Sequence, residues 1–194
     1  MRVITGIARG KKLKQPANDK IRPTTDMVKE SIFNIIQYDI EGRDVLDLFG
    51  GTGQLAIEAV SRGAKSAVIV DNSGEAGKII RNNIAITGLK GIRYVCADAL
   101  NYLEGPEKYD LVFLDPPYYS TFLESSLQKI VEFDKMNVGG IIICESLTGE
   151  EPGELILPYQ KLKTYRYGQV GITLFTRRDG RSTPSEADGR ATCL

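Results

Sequence analysis

Four consecutive residues, Asp115-Pro116-Pro117-Tyr118, follow the apolar run Leu111-Val112-Phe113-Leu114 and set a carboxylate, two rigid prolines and an aromatic ring at the mouth of a buried strand. The carboxylate and the carbonyl of Pro116 can accept both N–H bonds of an exocyclic amine. The prolines hold these acceptors in one direction, and the tyrosine offers a flat base a stacking surface. Such a group suits chemistry at the amine nitrogen of a nucleobase. The same residues can also simply end a strand and pack a ring over it, so the reading turns on what lies upstream.

Upstream, Val45-Leu46-Asp47-Leu48-Phe49-Gly50-Gly51-Thr52-Gly53-Gln54-Leu55-Ala56 reads as an apolar strand, a glycine-rich turn and the start of a helix. Gly51-x-Gly53-x-x-Ala56 satisfies the dinucleotide fingerprint. Its glycines let a ligand approach the backbone, and the opening helix presents unpaired N–H groups. A second apolar strand, Ser66–Val70, ends in Asp71, at the spacing from the turn where an acid reaches a ribose diol. A third, residues 92–96, is followed by Asp98. Asp47, Asp71 and Asp98 at three successive strand ends would line one edge of a parallel sheet, where open α/β folds bind ligands. Each is also a residue type that caps helices and turns.

The elements that position these groups alternate along the chain. A helix is expected from Thr25 or Asp26 to about residue 38, with Met27, Val28, Ile32, Ile35 and Ile36 at helical spacing. Helices over 55–62 and 75–87 are closed by Gly63 and Gly88, and another covers 123–133. Residues 140–145 read as a fully buried fifth strand. Residues 160–167 and 170–177 then form an antiparallel hairpin about Gly168-Gln169. The expected fold is α/β, a Rossmann-like, seven-stranded, mostly parallel sheet with a C-terminal antiparallel hairpin. Residues 1–24 read as a small basic hairpin arm, 25–178 as the catalytic domain, and 179–194 as a polar tail without a periodic apolar face, expected to be disordered.

Composition narrows the chemistry. With 42% hydrophobic residues in 194, one α/β domain can fill its core. No run approaches the ~18 apolar residues of a membrane span, and no signal-peptide pattern opens the chain, so a cytoplasmic protein is expected. The chain has no histidine, which excludes Ser-His-Asp and Cys-His mechanisms. Cys96, Cys144 and Cys193 form no C-x-x-C, so no metal site is expected; Cys96 and Cys144 lie in apolar runs and are read as buried. Net charge is zero, yet the first thirty residues hold eight basic and three acidic side chains. Arg9, Lys11, Lys12 and Lys14 are therefore candidates for phosphate contact, against the plainer reading of a solvated face.

The chain resembles class I S-adenosylmethionine-dependent methyltransferases, and more narrowly the bacterial 16S ribosomal RNA guanine-N2 methyltransferases of the RsmD type. The resemblance covers nearly everything before Arg177. It rests on Arg2-Val3-Ile4-x-Gly6 with Arg9-Gly10-x-x-Leu13, Arg22-Pro23-Thr24-Thr25-Asp26, Asp47-Leu48-Phe49-x-Gly51-x-Gly53, Glu58-x-x-x-Arg62-Gly63-Ala64, Asp115-Pro116-Pro117-Tyr118 and Tyr167-Gly168. It implies S-adenosylmethionine as cofactor, with Gly51 and Gly53 beneath it and Phe49 beside it. Asp47 would lie near its amino group, Asp71 on its ribose hydroxyls, and Asp98 with Ala99 at its adenine. It further implies a guanine held by Asp115, Pro116 and Tyr118, Arg22 and Thr24 closing over the site, and 16S ribosomal RNA as partner. With so small a basic surface and no added binding domain, a monomeric protein that prefers an assembled small-subunit particle is expected. An NAD-dependent oxidoreductase would share the glycine turn but leave Asp115-Pro116-Pro117-Tyr118 without a task. A DNA adenine-N6 methyltransferase shares those four residues but usually carries a sizeable target-recognition region. A non-catalytic RNA-binding assembly factor would have no need to keep Asp71, Asp98 and Asp115 intact.

Overall fold

The central strands are buried on both faces, and the alternation of their side chains builds two cores. Val45, Ile69, Leu111, Phe113, Ile141 and Ile143 face one way; Leu46, Val68, Val70, Val112, Leu114 and Ile142 face the other. The computed structural model describes residues 1–16 and 26–179. Among these, β1 (Asp44–Asp47), β2 (Ser66–Val70), β3 (Ile92–Val95), β4 (Tyr109–Leu114), β5 (Met136–Leu147), β6 (Tyr159–Tyr167) and β7 (Val170–Arg177) form one sheet in the order β3-β2-β1-β4-β5-β7-β6. The first five run parallel, and β7 pairs antiparallel with both β5 and β6. The expected sheet is therefore present.

Helices α1 (Asp26–Ile35), α2 (Gln54–Ser61) and α3 (Gly74–Thr87) supply Val28, Ile32, Phe33, Leu55, Ile57 and Ile80 to the first core. Helices α4 (Ala99–Tyr102) and α5 (Phe122–Glu132) supply Ala99, Leu123, Leu127 and Ile130 to the second, joined by Leu103 just past α4. Gly88 closes α3 in the left-handed conformation, with φ 70°, and Gly63 follows α2 at φ 107°.

Three details depart from expectation. The short helix α4 was not foreseen. Strand β5 begins four residues before 140, with a register shift against β4 and Gly139 at φ 75°. Cys144 is buried but Cys96 is exposed: it follows β3, a strand at the sheet's edge, so the apolar run before it has a neighbour on one side alone. Cys193 lies outside the described residues.

The N-terminal hairpin is reduced to one antiparallel bridge, Arg2 with Lys12, and is docked rather than extended. Val3, Ala8 and Leu13 enter the first core. Glu58, fully buried on α2, accepts the Ile4 and Thr5 N–H groups at 2.8 and 2.9 Å and the Arg62 Nε–H at 2.8 Å. The buried Lys29 ammonium lies 3.8 Å from the same carboxylate and donates to the Arg2 carbonyl at 2.6 Å. Gly6, at φ 86°, passes so close to Ser61 that a Cβ would fall 1.7 Å from its carbonyl oxygen. The motif Glu58-x-x-x-Arg62 thus fastens the N-terminal segment to the sheet. The arm's proposed boundary at residue 24 lies outside the described residues, as do residues 180–194 of the tail.

Candidate active site

The sheet order reverses between β1 and β4, whose register sets Asp47 against Phe113, and at such a switch point the strand ends open into a crevice. A cavity of about 470 Å³ occupies it, a size ordinary for a small-molecule site. Asp47, Asp71, Asp98 and all of Asp115-Pro116-Pro117-Tyr118 line this one cavity.

Asp47 ends β1 and is only 2% exposed. Its Oδ2 accepts the Ala56 N–H at 3.3 Å, in the first turn of α2. That helix has no side-chain cap of its own, because its N-cap residue is Gly53. Burial pushes the Asp47 carboxyl up to about 7; the Ala56 amide pulls the other way, and the nearby Asp71 charge adds to the rise.

Asp71 accepts the Gly51 N–H on Oδ2 at 2.9 Å and the Ser73 N–H on Oδ1 at 2.8 Å. It ties the glycine turn after β1 to the end of β2. Each carboxylate oxygen keeps further lone-pair capacity for a diol. Tyr94 steadies the position from below by donating its hydroxyl to the Asp71 carbonyl at 3.0 Å. Asp98 caps α4, its Oδ1 accepting the Asn101 N–H at 2.9 Å, and Ala99 beside it is buried against the cavity. Phe49 lines the wall, with its ring centroid 5.9 Å from that of Phe122.

The glycines divide their tasks differently from expectation. Gly50 and Gly51 line the cavity, Gly51 at φ 54°. Gly53 does not; it lies behind the turn at φ 75°, where a Cβ would stand 3.0 Å from the Ile69 side chain. Its lack of a side chain lets α2 start close against β2.

At the other side of the cavity Tyr118 donates its hydroxyl to Glu145 Oε1 at 2.8 Å. Ser120 donates to the Pro117 carbonyl at 2.6 Å, and the intervening Tyr119 takes φ 60°. Glu145 was not singled out in the sequence. It stands near the end of β5, 6% exposed, one residue past the Leu114–Cys144 pairing and so beside Asp115. The signal was available: Glu145 follows the apolar run 141–144 as Asp115 follows 111–114. Gln54, Asn72, Ser73, Phe122 and Val170 complete the walls unforeseen.

Arg9, Lys11 and Lys12 are exposed outside the cavity and pair with no described acid. The buried Asn83 joins their segment to the glycine turn: it accepts the Lys14 N–H at 2.7 Å and donates to the carbonyls of Lys14 at 3.1 Å and Thr52 at 2.9 Å. Arg22 and Thr24 lie outside the described residues. Among the described residues no cluster of acids or cysteines fits a metal ion, and no helix is long and apolar enough to cross a membrane.

Comparison with known proteins agrees with this geometry. "Putative rRNA methyltransferase YlbH" of Bacillus subtilis is 36% identical over 183 residues, 92% of this chain and all of that protein. "Ribosomal RNA small subunit methyltransferase D" of Haemophilus influenzae is 29% identical over 90% of this chain and 93% of its own. The solved structure named "Putative methyltransferase yhhF" from Escherichia coli superposes with a TM-score of 0.84 at 27% identity, over 92% of this chain and 98% of that one. Residues 1–176 match the model of one family. The chain belongs to that family, described as Conserved hypothetical protein 95, whose Rossmann-like fold is that of methyltransferases.

Proposed function

We propose that the protein transfers a methyl group from S-adenosylmethionine to the exocyclic N2 amine of a guanine in small-subunit ribosomal RNA, acting on an assembled particle. One observation carries the reading: Asp115-Pro116-Pro117-Tyr118 opens into the same cavity that the glycine turn, Asp47 and Asp71 enclose, so an amine-holding group and a nucleotide cradle share one space. The names of the two relatives support ribosomal RNA as substrate class, and such a substrate sets its work in the cytoplasm.

The residues fit the cofactor by donor set and shape. By this fit Asp71 would hold a diol, Asp47 an ammonium group, and Phe49, Ala97 and Ala99, which line the same cavity, a flat heterocycle. Bound there, S-adenosylmethionine supplies an electrophilic sulfonium methyl. Guanine N2 is a poor nucleophile because its lone pair is delocalised into the ring. Asp115 and the Pro116 carbonyl accept its two N–H bonds and hold the nitrogen in line, so positioning does most of the work. As positive charge develops on nitrogen, the same carboxylate and carbonyl dipole stabilise it. The amine proton then leaves to Asp115 or to water. Extruding the base costs a few kcal/mol, and stacking on Tyr118, about 1 to 3 kcal/mol, offsets much of it.

Zero net charge and a small basic surface leave RNA positioning to the particle. The deciding experiment compares labelled methyl transfer to naked 16S RNA, small subunits and duplex DNA, followed by nucleoside analysis. N2-methylguanosine, formed best on subunits, is expected. Label in N6-methyladenine, or none in ribosomal RNA, overturns the reading.

A further inference from the structure

We infer that Glu145 reads the Watson–Crick edge of the target base and selects guanine over bases that carry a like amine beside an unprotonated ring nitrogen. This rests on the N2-amine reading above and assigns its specificity to a side chain of this fold.

Three observations support it. Glu145 lies beside Asp115 on the neighbouring parallel strand and lines the same cavity. It is 6% exposed and directly follows the buried apolar run 141–144. Its Oε1 accepts the Tyr118 hydroxyl at 2.8 Å, so the carboxylate and the stacking ring hold each other in a fixed relation.

The chemistry of the bases supplies the rest. In guanine the N2 amine sits next to an N1–H donor. In adenine and in 2-aminopurine the ring nitrogen N1 beside the amine carries a lone pair instead. With Asp115 and the Pro116 carbonyl on the amine, the adjacent acceptor along that edge meets N1. A carboxylate there accepts N1–H from guanine and repels the lone pair of the other two. Tyr118 fixes the plane of the base, and Glu145 fixes its identity.

The test uses small subunits reconstituted with 16S RNA in which the mapped target guanine is replaced by 2-aminopurine, which retains the N2 amine. The readout is the ratio of kcat/KM for guanine over 2-aminopurine. Wild type should favour guanine on the order of a hundredfold or more, because a site built to hydrogen-bond one donor rejects the analogue lacking it. Glu145→Gln keeps an acceptor for Tyr118 and offers N1 an N–H, so the ratio should fall at least about tenfold while affinity for S-adenosylhomocysteine is unchanged. Tyr118→Phe, which removes only the hydroxyl, should slow both substrates and keep the preference. If the glutamine variant does not fold, Glu145→Asp, which withdraws the charge by one methylene, should lose the preference instead. A wild type that methylates both bases equally, or a folded Glu145 variant slowed equally on both, overturns the inference. Absence of N2-methylguanosine from wild type on any ribosomal substrate overturns the parent reading as well, which separates the two failures.

Discussion

If Asp47 holds the cofactor's ammonium group as proposed, cofactor affinity depends on pH through a single buried carboxyl. In the fold it is 2% exposed and its pKa is pushed up to about 7. A cofactor ammonium set beside it needs the ionised form. About nine-tenths of molecules carry that charge at pH 8 and about one in a hundred at pH 5, so apparent affinity should fall about 90-fold over that span, or about 3 kcal/mol. The sign for stability is opposite. The unfolded side chain titrates near 3.8 and the folded one near 7, so between these values the folded protein holds a proton that the unfolded chain has lost. The associated stability is complete below pH 3.8 and is lost as pH rises through 7, to a limit of about 4 kcal/mol. Asp47→Asn removes both slopes: above pH 7 the variant should be more stable than wild type yet bind the cofactor more weakly. Calorimetric titration with S-adenosylhomocysteine from pH 5 to 8, beside urea unfolding at the same values, measures both. Wild-type affinity flat across this range, or a slope that survives in the asparagine variant, would refute the assignment.

Two further outcomes follow from other contacts. Asp71→Ala removes the acceptor for the Gly51 and Ser73 N–H groups together with any bond to a diol. Cofactor binding should weaken by roughly 1.5 to 3 kcal/mol by calorimetry, and a folded variant with unchanged affinity would contradict the role. Neutralising Arg9, Lys11, Lys12 and Lys14 together should raise KM for the RNA substrate and flatten its salt dependence by about 0.7 to 0.9 in log-log slope per lost phosphate contact. Cofactor affinity should hold, because Lys14 meets Asn83 through its backbone N–H and carbonyl; wild-type kinetics at every salt concentration would mark these charges as solvation only.

The sheet was legible because its signals are local. Apolar runs, glycines after helices and the acids that follow β1 to β4 suffice to locate β1 to β5 along the chain, and the C-terminal hairpin announced itself through Gly168. Contacts between segments distant in sequence were not legible. Nothing near Glu58 states that it will accept amides 53 and 54 residues away, and without that contact a basic hairpin reads as a free arm. Cys96 was misread for a related reason: hydrophobicity along a strand does not say whether it has one neighbour or two. Glu145 escaped because its strand was read for apolarity alone, although the acid-after-strand rule that found Asp115 applied to it equally.

Asp71 and Asp98 show that the structural and the binding roles of an acid at a strand end do not compete. A carboxylate carries two oxygens and about four acceptor sites. Asp98 spends one on the Asn101 N–H as a helix cap, and Asp71 spends two on the backbone of Gly51 and Ser73, while both still line the cavity. These bonds fix each carboxylate before any ligand arrives, so ordering it is not charged against binding. Asp47 differs in kind: buried with the single Ala56 N–H on Oδ2, it is held by packing rather than by satisfied oxygens, and burial pushes its carboxyl towards neutrality. The cleft therefore combines acids whose geometry is set by backbone donors with one whose charge is conditional, and it is the conditional one that a cationic ligand would draw into ionisation.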